Sequence, residues 1–331
     1  MDLTRAISEP LAKLIDFHNA FNLNVKFAYG TLAQLNAPVY PNAAQRPVTL
    51  SNGGEPWSTS TRWRDLDEAV REAAVFIAEM GIARTASAFE DYLVGVKAEL
   101  DRAAGRTHPA QKTIPEQRIS ESDDEPEDAP SASPPLRQLI ARLGVDSTTI
   151  TADVDMVNFF RTARNCVVHR SNRASKRLSD LRASPQLEVA LRTWPHRRGK
   201  WTIDLPEVSQ NQVVPWLPRH AIMASAVYYR CAVYLDRAAV STLGRDGMVA
   251  MAAHWCLLAD NLVPSPAKLD AQTMVRTQLA ERYFVRGTAL AEIVQALRNN
   301  GIWDRAQQEF AARGLIKASH VKRRAVRHIG R

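Results

Sequence analysis

Cysteine is scarce in this chain of 331 residues: three occur, Cys166, Cys231 and Cys256, and none forms a CxxC pair. An odd, scattered set excludes a disulfide framework and a cysteine-based zinc site. Long apolar runs are missing as well. No stretch reaches the roughly 18 uninterrupted apolar residues of a membrane span, and the opening MDLTRAISEP lacks the basic-then-apolar build of an export signal. The expectation from these absences is a cytoplasmic protein with no membrane partner. There is no HxxxH, HExxH or paired-carboxylate cluster and no GxxxxGK[ST] loop, so neither a metal nor another cofactor is expected.

What is there suits a packed globular protein. Hydrophobic residues make up 45% and charged residues 24% of the chain, which leaves enough apolar side chain to bury a core. The net charge of +8 and a pI near 9.6 favour an anionic partner, of which nucleic acid is the commonest.

Residues 65–102 contain no proline, and Ile82, Ala86, Phe89, Leu93, Val96 and Leu100 recur at spacings of three and four. That pattern predicts a long helix with one core-facing stripe and Gly81 as a place to bend. Composition changes abruptly over 104–135, which hold six of the 18 prolines and the acidic run EQRISESDDEPED. Such a segment buries too little apolar surface to offset chain entropy and reads as a disordered acidic linker. Helical signals return in LRQLIARLG, with Gly144 as its stop, and Thr151 or Asp153 is the expected N-cap of the helix that follows. Over 188–208 the runs LEVALRTW and KWTIDL flank HRRG, the signature of a small β-hairpin. From Pro218 an apolar helix runs to Gly244, and another follows. The tail over 311–331 carries seven lysines or arginines and no acid, so it attracts phosphate. The expected organisation is an N-terminal helical or irregular segment over 1–64, a helical domain over 65–260 and a basic helical region over 261–331.

On a helix at about 100° per residue, Met156, Val157, Phe159, Phe160, Ala163, Cys166 and Val167 fill one wide arc, and Asn158, Arg161, Thr162, Asn165 and His169 a narrower polar one. Arg164 breaks the division by projecting between Val157 and Phe160. An unpaired buried guanidinium costs several kcal/mol, so it needs an anion: an internal carboxylate, a bound phosphate, or each in turn. Glu90, next to the apolar stripe of the earlier helix, is the expected carboxylate. A plain core ion pair would account for Arg164 alone, but not for Asn165 and His169 four residues apart on the adjoining face. Histidine exchanges a proton near neutral pH, arginine grips a phosphate with parallel hydrogen bonds, and asparagine orients either.

Arg164-Asn165-Cys166-Val167-Val168-His169 reads R-N-x-x-x-H and resembles the signature of HEPN domains, a helical family. The earlier helix with AFEDYL, the polar exit HRSNRAS and the apolar helix over 219–244 extend the likeness over about residues 65–260; the acidic insertion and the expected hairpin depart from it. The resemblance implies an antiparallel helical bundle and a metal-independent endoribonuclease whose site forms where two copies of the motif helix meet. It implies Arg164, Asn165 and His169 as catalytic residues, a homodimer, RNA as substrate, and a toxin or anti-phage role with an antitoxin or regulatory protein as a further partner. Beside it, Arg161 and Arg170 near the motif and Arg197, Arg198, Lys200 and Trp201 of the expected hairpin form a basic and aromatic set suited to RNA. The rivals are a non-cleaving HEPN module that binds RNA or a partner protein, and a DNA-binding regulator acting through the basic C-terminus. His220 and His254 read as structural.

Overall fold

The computed structural model describes residues 3–35, 66–104, 134–194, 204–258 and 270–312. Among them the chain is mainly helical and contains no strand, only an isolated antiparallel bridge between Arg173 and Val213. The helices are α1 (Glu9–Leu35), α2 (Leu66–Ala103), α3 (Pro134–Leu143), α4 (Ser147–His169), α5 (Lys176–Ala183), α6 (Pro185–Thr193), α7 (Pro218–Ala253), α8 (Ala271–Arg282) and α9 (Leu290–Asn299). A π-helical turn, His254–Leu258, extends α7.

The centre of the molecule is the pair α2 and α7, with α1 packed on both. Their contacts climb together. A Cβ at Gly81 would meet Ala221 Cβ at 2.6 Å, Phe89 stacks on Tyr228, the Tyr92 hydroxyl donates to the Ala232 carbonyl at 3.0 Å, and Gly247 faces Ala103. The two helices therefore run parallel, an arrangement that requires a long crossover between them. Helix α1 runs against both: Phe21 lies at Gly81 and Pro10 at Gly95, while His18 reaches Ser225 and Ser8 reaches Asp236. Helix α4 runs against α7 as well, with Asp153 on Arg230 and Phe159 against Trp216 just before that helix.

Gly81 does not divide α2, which is continuous. Its missing side chain instead admits Ala221 and Phe21, close approach being what glycine permits. Gly144 stops α3 as expected, at φ 61°, with the Val145 amide donating back to the Ile140 carbonyl. Gly244 adopts φ 57° and kinks α7 where the first apolar run was expected to end.

Two expectations are corrected. The N-cap of α4 is Asp146, whose Oδ1 accepts from the Thr148 amide at 2.9 Å. Asp153 is buried inside the helix and pairs with Arg230 at 2.8 Å. The segment expected as the first arm of a hairpin over 188–208 is α6: Ser184 Oγ caps it by accepting from the Leu187 amide, Pro185 opens it, and Glu188 pairs with Arg192 one turn on at 3.2 Å. Leu187, Ala190 and Trp194 are buried while Val189 is exposed, the spacing of a helix and not a strand. The turn of that hairpin, residues 195–203, lies outside the described residues. So do 105–133 of the acidic linker, the tail beyond 312, and both expected domain boundaries. One buried apolar cluster includes Leu14 and Phe21 of α1, Phe159 of α4, Leu279 of α8 and Leu297 of α9.

At the far end of α2 and α7 from the motif, Glu99 is buried and accepts from the Tyr283 hydroxyl at 3.0 Å. Burial, opposed by that hydrogen bond and reinforced by Glu9 and Asp236, pushes its carboxyl up to about 8. The folded protein then binds a proton that the unfolded chain releases near the ordinary carboxylate value of 4.5. Glu99 therefore costs stability increasingly as pH rises from 4.5 to 8, at about 1.4 kcal/mol per unit. Glu99→Gln keeps an oxygen for Tyr283 and is expected to melt higher than wild type at pH 8 and alike at pH 4.5. Calorimetry at the two pH values checks this, and an equal gain at both would contradict it.

Candidate active site

Residues 147–169 contain neither glycine nor proline, so nothing interrupts α4 before its polar exit. Met156, Val157, Phe159, Phe160, Ala163 and Cys166 are buried along one side. Asn158, expected on the polar arc, is buried with them. The helix ends on a built stop. Arg170 and Asn172 both return their amides to the Cys166 carbonyl, at 3.1 and 3.0 Å, and Ser171 and Asn172 take φ values of 49° and 61°. Asparagine tolerates that left-handed conformation better than most side chains. Asn172 is buried; its Nδ2 donates to the Val214 carbonyl at 2.9 Å, and its Oδ1 accepts from Trp216 Nε1 at 2.8 Å. The segment before α7 thus clamps the end of the motif helix.

Arg164, Asn165 and His169 meet at this end of α4. Arg164 Nη1 donates to Asn165 Oδ1 at 3.0 Å and lies 3.4 Å from His169 Nε2. A guanidinium has only donors, so the contact is a hydrogen bond in the tautomer that leaves Nε2 without a proton. Arg164 and Asn165 are half-buried and His169 is exposed. Arg164 lays its stem on the apolar side and carries its head to the edge, as long cationic side chains do. The expected Glu90–Arg164 ion pair is not formed among the described residues: Glu90 is exposed on α2, and the oxygen that receives Nη1 is an amide. Chemically, the arrangement offers an imidazole nitrogen able to take a proton, held beside a fixed positive charge.

Arg161 is half-buried one turn before the motif. Arg170 is exposed at its exit, with Nη2 3.5 Å from Asn211 Oδ1, and Arg173, also exposed, donates to the Asn211 carbonyl at 3.2 Å. Arg197, Arg198, Lys200 and Trp201 lie outside the described residues. Trp194, just before them, is buried beneath the Arg230 guanidinium, 5.1 Å away.

His220 is structural, as read from the sequence. It is buried, Nδ1 accepts from the Leu217 amide at 3.0 Å, and Nε2 faces the Asp204 carbonyl at 3.1 Å. Burial, with Arg219 nearby, pushes its pKa down to about 4, so it is neutral at pH 7. Among the described residues no three of His, Cys, Asp and Glu gather as a metal-binding set, and no helix is long and apolar enough to cross a membrane.

Neither the Asn172–Trp216 clamp nor Asn211 is legible in the sequence, because both depend on the docking of residues 204–217 onto the motif exit. The one local signal is Asn172 itself, an asparagine three residues past a helix with no glycine to end it. No protein-family model, curated protein or solved structure matches the chain.

Proposed function

We propose that the protein is a metal-independent endoribonuclease of the HEPN type, cleaving RNA at a site composed by two copies of α4. The observation that carries this reading is the convergence of Arg164, Asn165 and His169 at the exposed end of one helix, with Nη1 within 3.0 and 3.4 Å of the other two side chains. RNA supplies its own nucleophile. The 2′-hydroxyl gives its proton to a base and its oxygen bonds to phosphorus, the P–O5′ bond breaks, and an acid protonates the departing O5′. A 2′,3′-cyclic phosphate and a 5′-hydroxyl remain.

One copy offers one imidazole for two proton transfers. A two-fold pair offers His169 and the partner's His169, with a guanidinium from each copy beside the nonbridging oxygens. The exposed Val168 between Asn165 and His169 gives such a pairing an apolar contact next to the site. Asn165 orients Arg164, and through it His169. Arg161 and Arg170 flank the motif and suit the neighbouring phosphates. A growth-arrest or anti-phage role, with a protein that restrains the enzyme, rests on the family likeness alone.

The test is incubation of the full chain with RNA in EDTA. Fragments ending in 2′,3′-cyclic phosphate are expected with wild type and none with Arg164→Ala. Cleavage that vanishes on chelation contradicts the reading. Equal, negligible turnover in both proteins, with RNA still bound, leaves the non-cleaving module in its place.

A further inference from the structure

Three helices converge behind the motif on a side chain that the mechanism above does not use. Tyr228 of α7 stacks on Phe89 of α2, ring centroids 4.9 Å apart and planes 27° from parallel, and it is 2% exposed. Its hydroxyl is buried and has no hydrogen-bond partner among the described residues. Neither has Nε of Arg164, which is buried too. An orphaned buried hydroxyl or N–H carries a desolvation cost of about 1–3 kcal/mol, and native interiors leave few of them.

The charges that act on the phenol are Glu90 on α2 and Arg161 and Arg164 on α4. Burial first, then Glu90, pushes its pKa upward against the two arginines, so it keeps its proton. A protonated phenol has one hydrogen to give and lone pairs that accept. A carboxylate and a guanidinium are the two neighbours that match those halves. Glu90 thus acts on the phenol from α2 without an ion pair to Arg164 among the described residues.

We propose that Tyr228 is a positioning residue that links Glu90 to Arg164: its hydroxyl donates to the carboxylate and accepts from the guanidinium Nε–H when Nη1 leaves Asn165 and His169 for a phosphate. Nη1 is occupied within the motif and Nε is idle; engaging a substrate oxygen with Nη1 shifts the fork, and the phenol is the acceptor that steadies it. His169 is released in the same movement, with Nε2 free to take the 2′-hydroxyl proton. The inference rests on the nuclease reading of Arg164, and the Glu90–Arg164 partnership expected from the sequence becomes an indirect one through Tyr228.

Tyr228→Phe removes one oxygen from a stacked ring and is expected to melt no lower than wild type, because an unpartnered buried hydroxyl is lost. In the full chain with an RNA oligonucleotide and EDTA it is expected to lower kcat about tenfold with KM unchanged, the size of one hydrogen bond to a charged group. Adding Glu90→Gln to it is expected to change nothing further, since both act through one link. A second measurement does not depend on cleavage: exchange of the Arg164 Nε–Hε proton with solvent, followed by NMR in protein carrying ¹⁵N-arginine and saturated with 2′-O-methyl RNA, is expected to be several-fold faster in Tyr228→Phe. Wild-type kcat in Tyr228→Phe, or equal Hε exchange in the two proteins, overturns the proposal. If wild type cuts no RNA, the nuclease reading fails and Hε exchange alone decides the role of Tyr228.

Discussion

His169→Ala is expected to lower RNA cleavage by about 10²- to 10⁴-fold, the range that a positioned acid or base contributes, while the protein stays folded. The imidazole is exposed and makes one long contact, 3.4 Å to Arg164. Its removal therefore changes stability by no more than about 0.5 kcal/mol, as for other surface substitutions. A melting curve that superimposes on wild type, beside lost turnover, separates chemistry from folding. The proposed composite site adds a sharper expectation. Titrating wild type with excess His169→Ala converts active pairs into mixed ones that hold a single imidazole, so activity falls below simple dilution. Turnover retained in His169→Ala, or activity that follows dilution alone, would count against a shared cleft.

Trp216→Ala is expected to cost about 3–5 kcal/mol of unfolding free energy, the usual toll for emptying a large aromatic site. Trp216 is fully buried, meeting Phe159 edge-on at 6.2 Å and His220 at 5.8 Å. Its loss also strips Asn172 Oδ1 of the Nε1 donor at 2.8 Å, and an unsatisfied buried acceptor adds about 1–3 kcal/mol where water cannot reach it. Because Asn172 lies three residues beyond His169 and shares the Cys166 carbonyl with Arg170, loosening the clamp moves the motif as well as the core. Urea denaturation of Trp216→Ala beside Trp216→Phe tests both parts. The phenylalanine variant keeps most of the ring volume and loses the hydrogen bond, so an intermediate midpoint is expected. A Trp216→Ala protein as stable as wild type would show that the clamp carries no weight.

The motif helix was legible because 23 residues of α4 contain no breaker and place their apolar side chains at helical spacing. Gly144 was legible for the opposite reason, being a residue whose φ freedom ends a helix. LEVALRTW misled because leucine, valine and threonine suit a strand as well as a helix; the deciding signals were Ser184 and Pro185, a cap and a first-turn proline just upstream. Thr151 and Asp153 were plausible caps by residue type, yet Asp146 begins the helix well before either and leaves Asp153 to pair with Arg230. Arg164, Asn165 and His169 are brought together by local geometry alone, which one helix dictates. Tyr228 was not legible. It reaches the motif only through the meeting of α2, α4 and α7, and a tyrosine within an apolar helix reads as core. The parallel course of α2 and α7 was hidden similarly, since periodicity says which face is buried and not which way a neighbour runs.

That parallel course has a consequence at the ribosome. The Tyr92 hydroxyl and the Ala232 carbonyl are 140 residues apart, and at about 5–20 residues per second the second is translated roughly 7–30 s after the first. Until then the nascent chain holds the apolar stripe of α2 without its principal cover, a target for chaperones and for aggregation.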